Sequence, residues 1–157
     1  MRARQATALL ALAGAFVALY LTLYKVGVIG TLSCSIGECE TVNTSRFAML
    51  MHLPVAAWGL GSYLVLFALA TLSQMPRFEE NTALPRAIAA LATWNLLFSG
   101  YLTYLELYVI HAICIWCVAS ATCALFHVIV NSARYVRGEP NLPRGERYAV
   151  IHADARS

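Results

Sequence analysis

Four runs of apolar residues, at 7–29, 54–73, 87–110 and 113–132, dominate this chain. Each is long enough to cross a hydrocarbon layer of about 30 Å as a helix rising about 1.5 Å per residue. Together they take up most of the 157 residues and leave no room for a separate soluble domain. The composition agrees: 60% of residues are hydrophobic and 12% charged, against roughly 45–50% and about 25% in soluble domains. The expected fold is an all-α membrane protein. A four-transmembrane-helix bundle occupies 1–133, with an outward loop and a short interfacial helix between spans 1 and 2. The tail, 134–157, has Pro140, Pro143, five arginines and few apolar residues, and is expected to be cytoplasmic and disordered.

The basic residues set an orientation. Arg2 and Arg4 precede the first run, Arg77 and Arg86 lie between the second and third, and Arg134, Arg137, Arg144, Arg147 and Arg156 follow the fourth. Only Lys25 and Arg46 fall on the other side. The positive-inside rule puts both termini in the cytoplasm and sends the loop between the first two runs outward. That face is the oxidising one in most cells, where disulfides persist. The net charge of +3 follows from this topology and calls for no nucleic-acid partner. The first run stands where a secretory signal would, but it is longer than a signal's apolar region. Tyr20, Tyr24 and Lys25 form an interfacial belt at its outer end, so it is read as a retained span.

In the outward loop, Gly30 and Gly37 allow turns, and four residues separate Cys34 from Cys39, a spacing that can close a small loop by disulfide. Beyond it, Asn43, Thr44 or Ser45 is expected to cap a short interfacial helix. Its Phe47, Leu50, Met51 and Leu53 would form an apolar lid over the bundle, with Arg46 exposed. Asn43-Thr44-Ser45 also matches a glycosylation sequon, a pattern too short to carry weight. Pro54 opens the second span, where a missing N–H costs little, and Gly59 and Gly61 are expected to let helices approach closely. The link at 74–85 is a polar cytoplasmic turn. In the third span Asn95, Ser99, Gly100 and Thr103 suit a helix interface. Glu106 is the only acidic residue in a span, and either reaches water, handles protons or bonds the lid. The fourth run follows so closely that the last two spans form an antiparallel hairpin.

The chemistry lies in Cys114-Ile115-Trp116-Cys117 at the start of the fourth run. Positions three apart share a helix face, so the two thiols can form a disulfide or stand as a dithiol. The helix N-terminus favours a thiolate, which makes Cys114 the more acidic member. A haem attachment site requires histidine after the second cysteine, and residue 118 is valine. Redox exchange, a static structural disulfide and a four-thiolate zinc site built with Cys34 and Cys39 all remain open on spacing alone. Cys123, deeper in the span and on another face, is read as a small hydrophobe. His52 and His111 lie near the outer surface as potential bases, and His127 and His152 belong to the cytoplasmic half and the tail.

Taken together, Cys34, Cys39-Glu40-Thr41-Val42 with Ser45, Leu53-Pro54-Val55-Ala56 with Gly59, and Tyr101-Leu-Thr-Tyr-Leu-Glu106 leading to Cys114-Ile-Trp-Cys117 resemble the vitamin K epoxide reductase family in its bacterial form. The resemblance covers about 9–130. Met51-His52 departs from it, standing where a glycine commonly precedes the Leu-Pro. The family's frequent fused thioredoxin-like domain is also missing from so short a tail, so the resemblance implies a separate extracytoplasmic thioredoxin-fold thiol protein as partner.

The resemblance further implies a bacterial inner-membrane enzyme whose bundle encloses a quinone, ubiquinone or menaquinone, as electron acceptor, with no metal. The implied catalytic residues are Cys34, Cys39, Cys114 and Cys117. The partner attacks the Cys34–Cys39 disulfide at Cys34, freed Cys39 attacks Cys114, and Cys117 passes electrons to the quinone. Ser45, Phe47 and Trp58 are the expected quinone contacts. The rival readings are a non-enzymatic membrane protein with structural disulfides and a quinone-linked thiol oxidase of an unrelated four-helix family.

Overall fold

The computed structural model describes residues 3–34, 37–78 and 83–136. Most of them are helical. Helix α1 spans Ala3–Lys25 and short α2 Cys39–Thr44, followed by a 3₁₀ turn at Arg46–Ala48. A two-stranded hairpin pairs β1 (Met49–Leu50) with β2 (Leu53–Pro54), and α3 runs from Val55 to Leu72. Helix α4 (Ala83–Leu105) ends in a π-helical turn at Glu106–Ile110, and α5 covers Ile115–Val136. Four of these helices are long and apolar enough to cross a membrane: Gln5–Lys25, Val55–Leu72, Ala83–Ile110 and Ile115–Ala133. In lipid a backbone must satisfy its own polar groups, which a helix does, and the chain is a multi-pass membrane protein. The helix continues past 133 to Val136, and the tail expected beyond it, 137–157, lies outside the described residues.

Packing follows side-chain size rather than polarity, because lipid tails provide no hydrophobic drive between helices. On α1 the small residues Ala8, Ala11, Ala15 and Ala18 are buried while Leu9, Leu12, Phe16 and Leu19 face outward. The closest approach is at Gly14, where a Cβ would strike the Tyr63 ring of α3. This corrects the sequence expectation for Gly59 and Gly61. A Cβ on Gly59 would meet only Ala18 at an ordinary 3.9 Å, and one on Gly61 nothing within 4 Å. Tyr63 in turn donates its hydroxyl to the Ser120 carbonyl at 2.8 Å, so α1, α3 and α5 are joined around one ring. His127 of α5 is fully buried, its ring 6.4 Å from that of Tyr63.

The segment between the first two spans differs from the expected lid. A short helix is present, but it starts at Cys39 and ends at Thr44, so Asn43 and Thr44 lie in its last turn and cap nothing. Residues 49–54 form a hairpin instead of continuing a helix, since Met51 and His52 adopt φ of 53° and 67°. Two left-handed residues in succession make the two-residue turn that fits the twist of a β-hairpin. The Met51-His52 pair that departs from the family pattern therefore occupies a turn that glycine would fill without strain. Met51 is 77% exposed at its tip.

Candidate active site

Cys114 is where the loop meets the bundle. Gly37 pairs with it as an antiparallel bridge, and the Glu38 N–H donates to the Ile113 carbonyl at 2.9 Å. Gly37 has φ +98°, and a Cβ there would strike the same carbonyl, so only glycine allows this approach. One residue before Cys34, Ser33 is clasped from both sides: its N–H donates to the Tyr20 hydroxyl at 2.9 Å, and its carbonyl accepts the Trp116 indole N–H at 3.0 Å. The Tyr20 and Trp116 rings pack 4.9 Å apart. Trp116 lies inside the Cys-x-x-Cys motif, so the motif itself holds the loop. Cys34 and Cys39 are joined as a disulfide, with Cα atoms 6.2 Å apart, and are not available as thiolate ligands to zinc.

Cys114 and Cys117 are both free thiols. Cys114 is completely buried beneath the loop, and Cys117 is half-buried on the wall of an internal cavity. The outer member of the motif is thus packed in one cluster with Cys39 and Cys34 and shut off from bulk solvent. Cys114 occupies the cap position of α5, its carbonyl accepting the Val118 N–H at 3.0 Å. A hydrogen bond from the Cys117 thiol, helped by the Cys117 and Trp116 backbone N–H groups, outweighs burial and the nearby Glu106 charge and lowers the Cys114 pKa to about 7. The N–H groups of the helix N-terminus act in the direction the sequence suggested, but the Cys117 thiol contributes more.

Two polar side chains hold Cys114 in place. The π-helical turn ends at His111 in a left-handed conformation, φ 55°, which reverses the chain into α5. It turns Glu106 inward, 4% exposed, where its Oε2 accepts the Cys114 N–H at 3.1 Å. Glu106 thus bonds the cysteine motif, a role different from the bond to the lid weighed for it from the sequence. On the other side Asn43, buried in α2, donates to the Cys39 carbonyl at 2.9 Å and approaches Cys114 Sγ at 3.7 Å. The Lys25 ammonium donates to the Asn43 carbonyl at 2.6 Å, a cation at the C-terminal end of α2 where the helix dipole favours it.

The cavity beside Cys117 has a volume of about 110 Å³ and is walled by residues from all four spans and the loop, mostly apolar. Apolar cavities of similar size, about 150 Å³, take a benzene ring. Ser45 and Phe47 are on the wall; Ser45 Oγ donates to the Val42 carbonyl at 2.7 Å, and the Arg46 guanidinium lies 4.9 Å from the Phe47 ring. Trp58 is not on the wall. It is 45% exposed on the outer side of α3, and its indole N–H donates to the Leu50 carbonyl at 3.3 Å, tying the hairpin to the helix. Its neighbour Gly59 faces the cavity instead.

Asn95 also lines the cavity, 8% exposed, and its Nδ2 is buried without a hydrogen-bond partner among the described residues. Leaving such a donor unpaired costs about 1–3 kcal/mol. An apolar, ring-sized cavity bordered by a thiol and carrying one unsatisfied N–H donor fits a quinone, which has a flat apolar ring and carbonyl oxygens that only accept.

The remaining sequence candidates are apart from this site. His52 and His111 are exposed on turns. Cys123 packs against the core of α1 and α3, as a small hydrophobe does. Sequence reasoning treated Asn43 as a cap, Lys25 as an interfacial anchor and Asn95 as a helix-contact residue. A polar residue inside a span is a functional signal in its own right, and it could have singled out Asn95.

None of the curated proteins compared with the chain matches it. The family comparison does match, over residues 5–132, which takes in all four spans, the loop and both cysteine pairs. The chain therefore belongs to the vitamin K epoxide reductase family, whose members are quinone-linked thiol oxidoreductases.

Proposed function

We propose that this protein reoxidises a separate extracytoplasmic thioredoxin-fold protein and passes the electrons to a membrane quinone, ubiquinone or menaquinone, thereby supporting disulfide formation. The observation that carries this reading is the docking of the loop disulfide onto Cys114 while Cys117 opens on the ring-sized cavity. A pathway from the surface to the cavity then runs through thiols alone.

The reaction balances as follows. A partner thiolate attacks Cys34, the less buried loop cysteine, and the partner's second thiol completes its own disulfide, leaving Cys34 and Cys39 reduced. Cys39 then attacks a Cys114–Cys117 disulfide at Cys114 and expels the Cys117 thiolate. Cys34 displaces Cys114 from Cys39, which restores the loop disulfide and leaves Cys114 and Cys117 as thiols, the pairing found here. Quinone supplies the acceptor for the two electrons and two protons that the dithiol gives up on closing again. The low pKa of Cys114 suits it to exchange at neutral pH, while Glu106 and Asn43 hold it between the two pairs.

On this reading the protein lies in a bacterial inner membrane with both termini cytoplasmic and the loop on the extracytoplasmic face, as the basic residues direct. Reporter fusions test the orientation: Glu38 is expected outside, and Glu80 and Glu146, which lie outside the described residues, inside. The function is tested by following the redox state of the four cysteines after a reduced thioredoxin-fold protein is added, with and without quinone. Cycling of both pairs only when quinone is present is the expected result. Cysteines locked in one pairing under both conditions point to the structural-disulfide alternative.

A further inference from the structure

Asn95 stands in the middle of a membrane-spanning helix, where an amide is out of place unless something meets it. Its Oδ1 accepts the Ser62 hydroxyl of α3, which orients the amide across the helix contact. The Nδ2 end is buried with no partner among the described residues, and Asn95 is one of the residues that wall the cavity. With Ser62 satisfying its acceptor, the Asn95 amide is left with a donor only. A ligand group that matches it is an oxygen that accepts and does not donate, such as a ring carbonyl.

The position along the bundle agrees with a ring. Asn95 and Glu106 are eleven residues apart on one continuous helix, about 16 Å along its axis. Glu106 is level with Cys114, to which it is bonded, and Cys117 lies three residues further in, about 4.5 Å. About 12 Å then separates the levels of Cys117 and Asn95. One ring with two opposed carbonyls fills that length when it has a van der Waals contact at one end and an N–H···O bond at the other.

We infer that Asn95 is the far anchor of the acceptor site: its Nδ2–H bonds the quinone carbonyl remote from Cys117 and so fixes which edge of the ring meets the thiols. This rests on the quinone reading above and adds to it the residue that selects a dicarbonyl ring. Electron density moves onto the ring oxygens as the dithiol closes, so a donor aimed at one of them also favours reduction. Asn95 gives up no proton in this role, and the two protons taken by the quinone come from Cys114 and Cys117.

The test uses the full chain purified in detergent, with a short-chain benzoquinone as probe. Asn95→Met keeps a weak thioether acceptor for Ser62 and removes the donor, and Asn95→Leu removes both in nearly the same volume. Both variants are expected to bind the quinone about tenfold more weakly, the loss of one hydrogen bond in a dry site. At a fixed quinone concentration the rise in Tm that the ligand gives the wild type should shrink in both. Without quinone, Asn95→Leu should melt close to the wild type, because the lost Ser62 hydrogen bond is offset by removal of a buried donor that has no partner among the described residues. Quinone affinity within twofold of wild type in both variants overturns the inference, as does a quinone-free Asn95→Leu that melts well below the wild type yet binds normally. A wild type that neither binds nor reduces the quinone removes the functional reading itself, which separates that failure from this one.

Discussion

The Asn43 amide nitrogen lies 3.7 Å from Cys114 Sγ while donating to the Cys39 carbonyl at 2.9 Å, so one side chain spans the two cysteine pairs. An N–H directed at sulfur favours the thiolate. Exchange through Cys114 should speed up as pH rises through about 7, where its thiol ionises, and level off above it. Asn43→Leu should move that midpoint upward and slow exchange several-fold at neutral pH, with recovery in more alkaline buffer. Thiolate absorbance against pH, with Cys114→Ser as baseline, measures the midpoint. An unmoved midpoint would mean that Asn43 only holds the loop.

Glu106 bears on the same thiol with the opposite sign. Its charge raises the Cys114 pKa, so Glu106→Gln should lower the midpoint from about 7. Glutamine still accepts the Cys114 N–H, whereas Glu106→Leu leaves a buried donor unpaired and should cost about 1–3 kcal/mol of stability. Unfolding in detergent would separate the two variants; equal stability of both sinks the assignment of Glu106 as the partner of that N–H.

Cys117→Ala removes the thiol expelled when Cys39 attacks Cys114. With the loop disulfide intact and Cys114 ionised, a Cys39–Cys114 link should accumulate and be recovered by peptide mapping under non-reducing conditions. A Cys34–Cys114 link in its place, or none, overturns the order of transfer. Cys34→Ala should abolish turnover with a protein partner while a small membrane-permeant dithiol still drives quinone reduction.

Gly37→Ala places a Cβ against the Ile113 carbonyl in a backbone conformation that alanine resists. The loop should lift from Cys114, and partner-driven turnover should fall by at least about fivefold, given roughly 1–3 kcal/mol of strain at such a residue. Turnover with the small dithiol should persist. Equal loss of both activities would show that the substitution disturbs more than the loop contact.

Met51-His52 is the converse case, a turn that pays a strain cost with no contact to show for it. Replacing the pair by Asn-Gly suits two left-handed residues and should raise stability by about 1 kcal/mol. Thermal unfolding checks this, and a lower Tm would show that Met51 or His52 makes a contact important to the fold.

The spans, the opening of the second at Pro54 and the two cysteine pairs were legible in the sequence because they are properties of length, hydropathy and spacing along one dimension. A helix end is a local feature and gave the direction of the Cys114 shift, although the neighbouring Cys117 thiol lowers the pKa most. What faces what was not. Helix α3 is apolar almost all round, so no polar stripe indicated that Gly59 would turn inward and Trp58 outward. The hairpin at 49–54 prevailed over the expected helix through two left-handed residues whose types give no warning of it. Asn43 and Cys114 are 71 residues apart, and Asn95 meets Ser62 from another helix. Helical periodicity tells which residues share a face but not which face it meets. Only the packing of four spans and a loop decided that Glu106 and Asn43 hold one cysteine and that Asn95 is left with a free donor on the cavity wall.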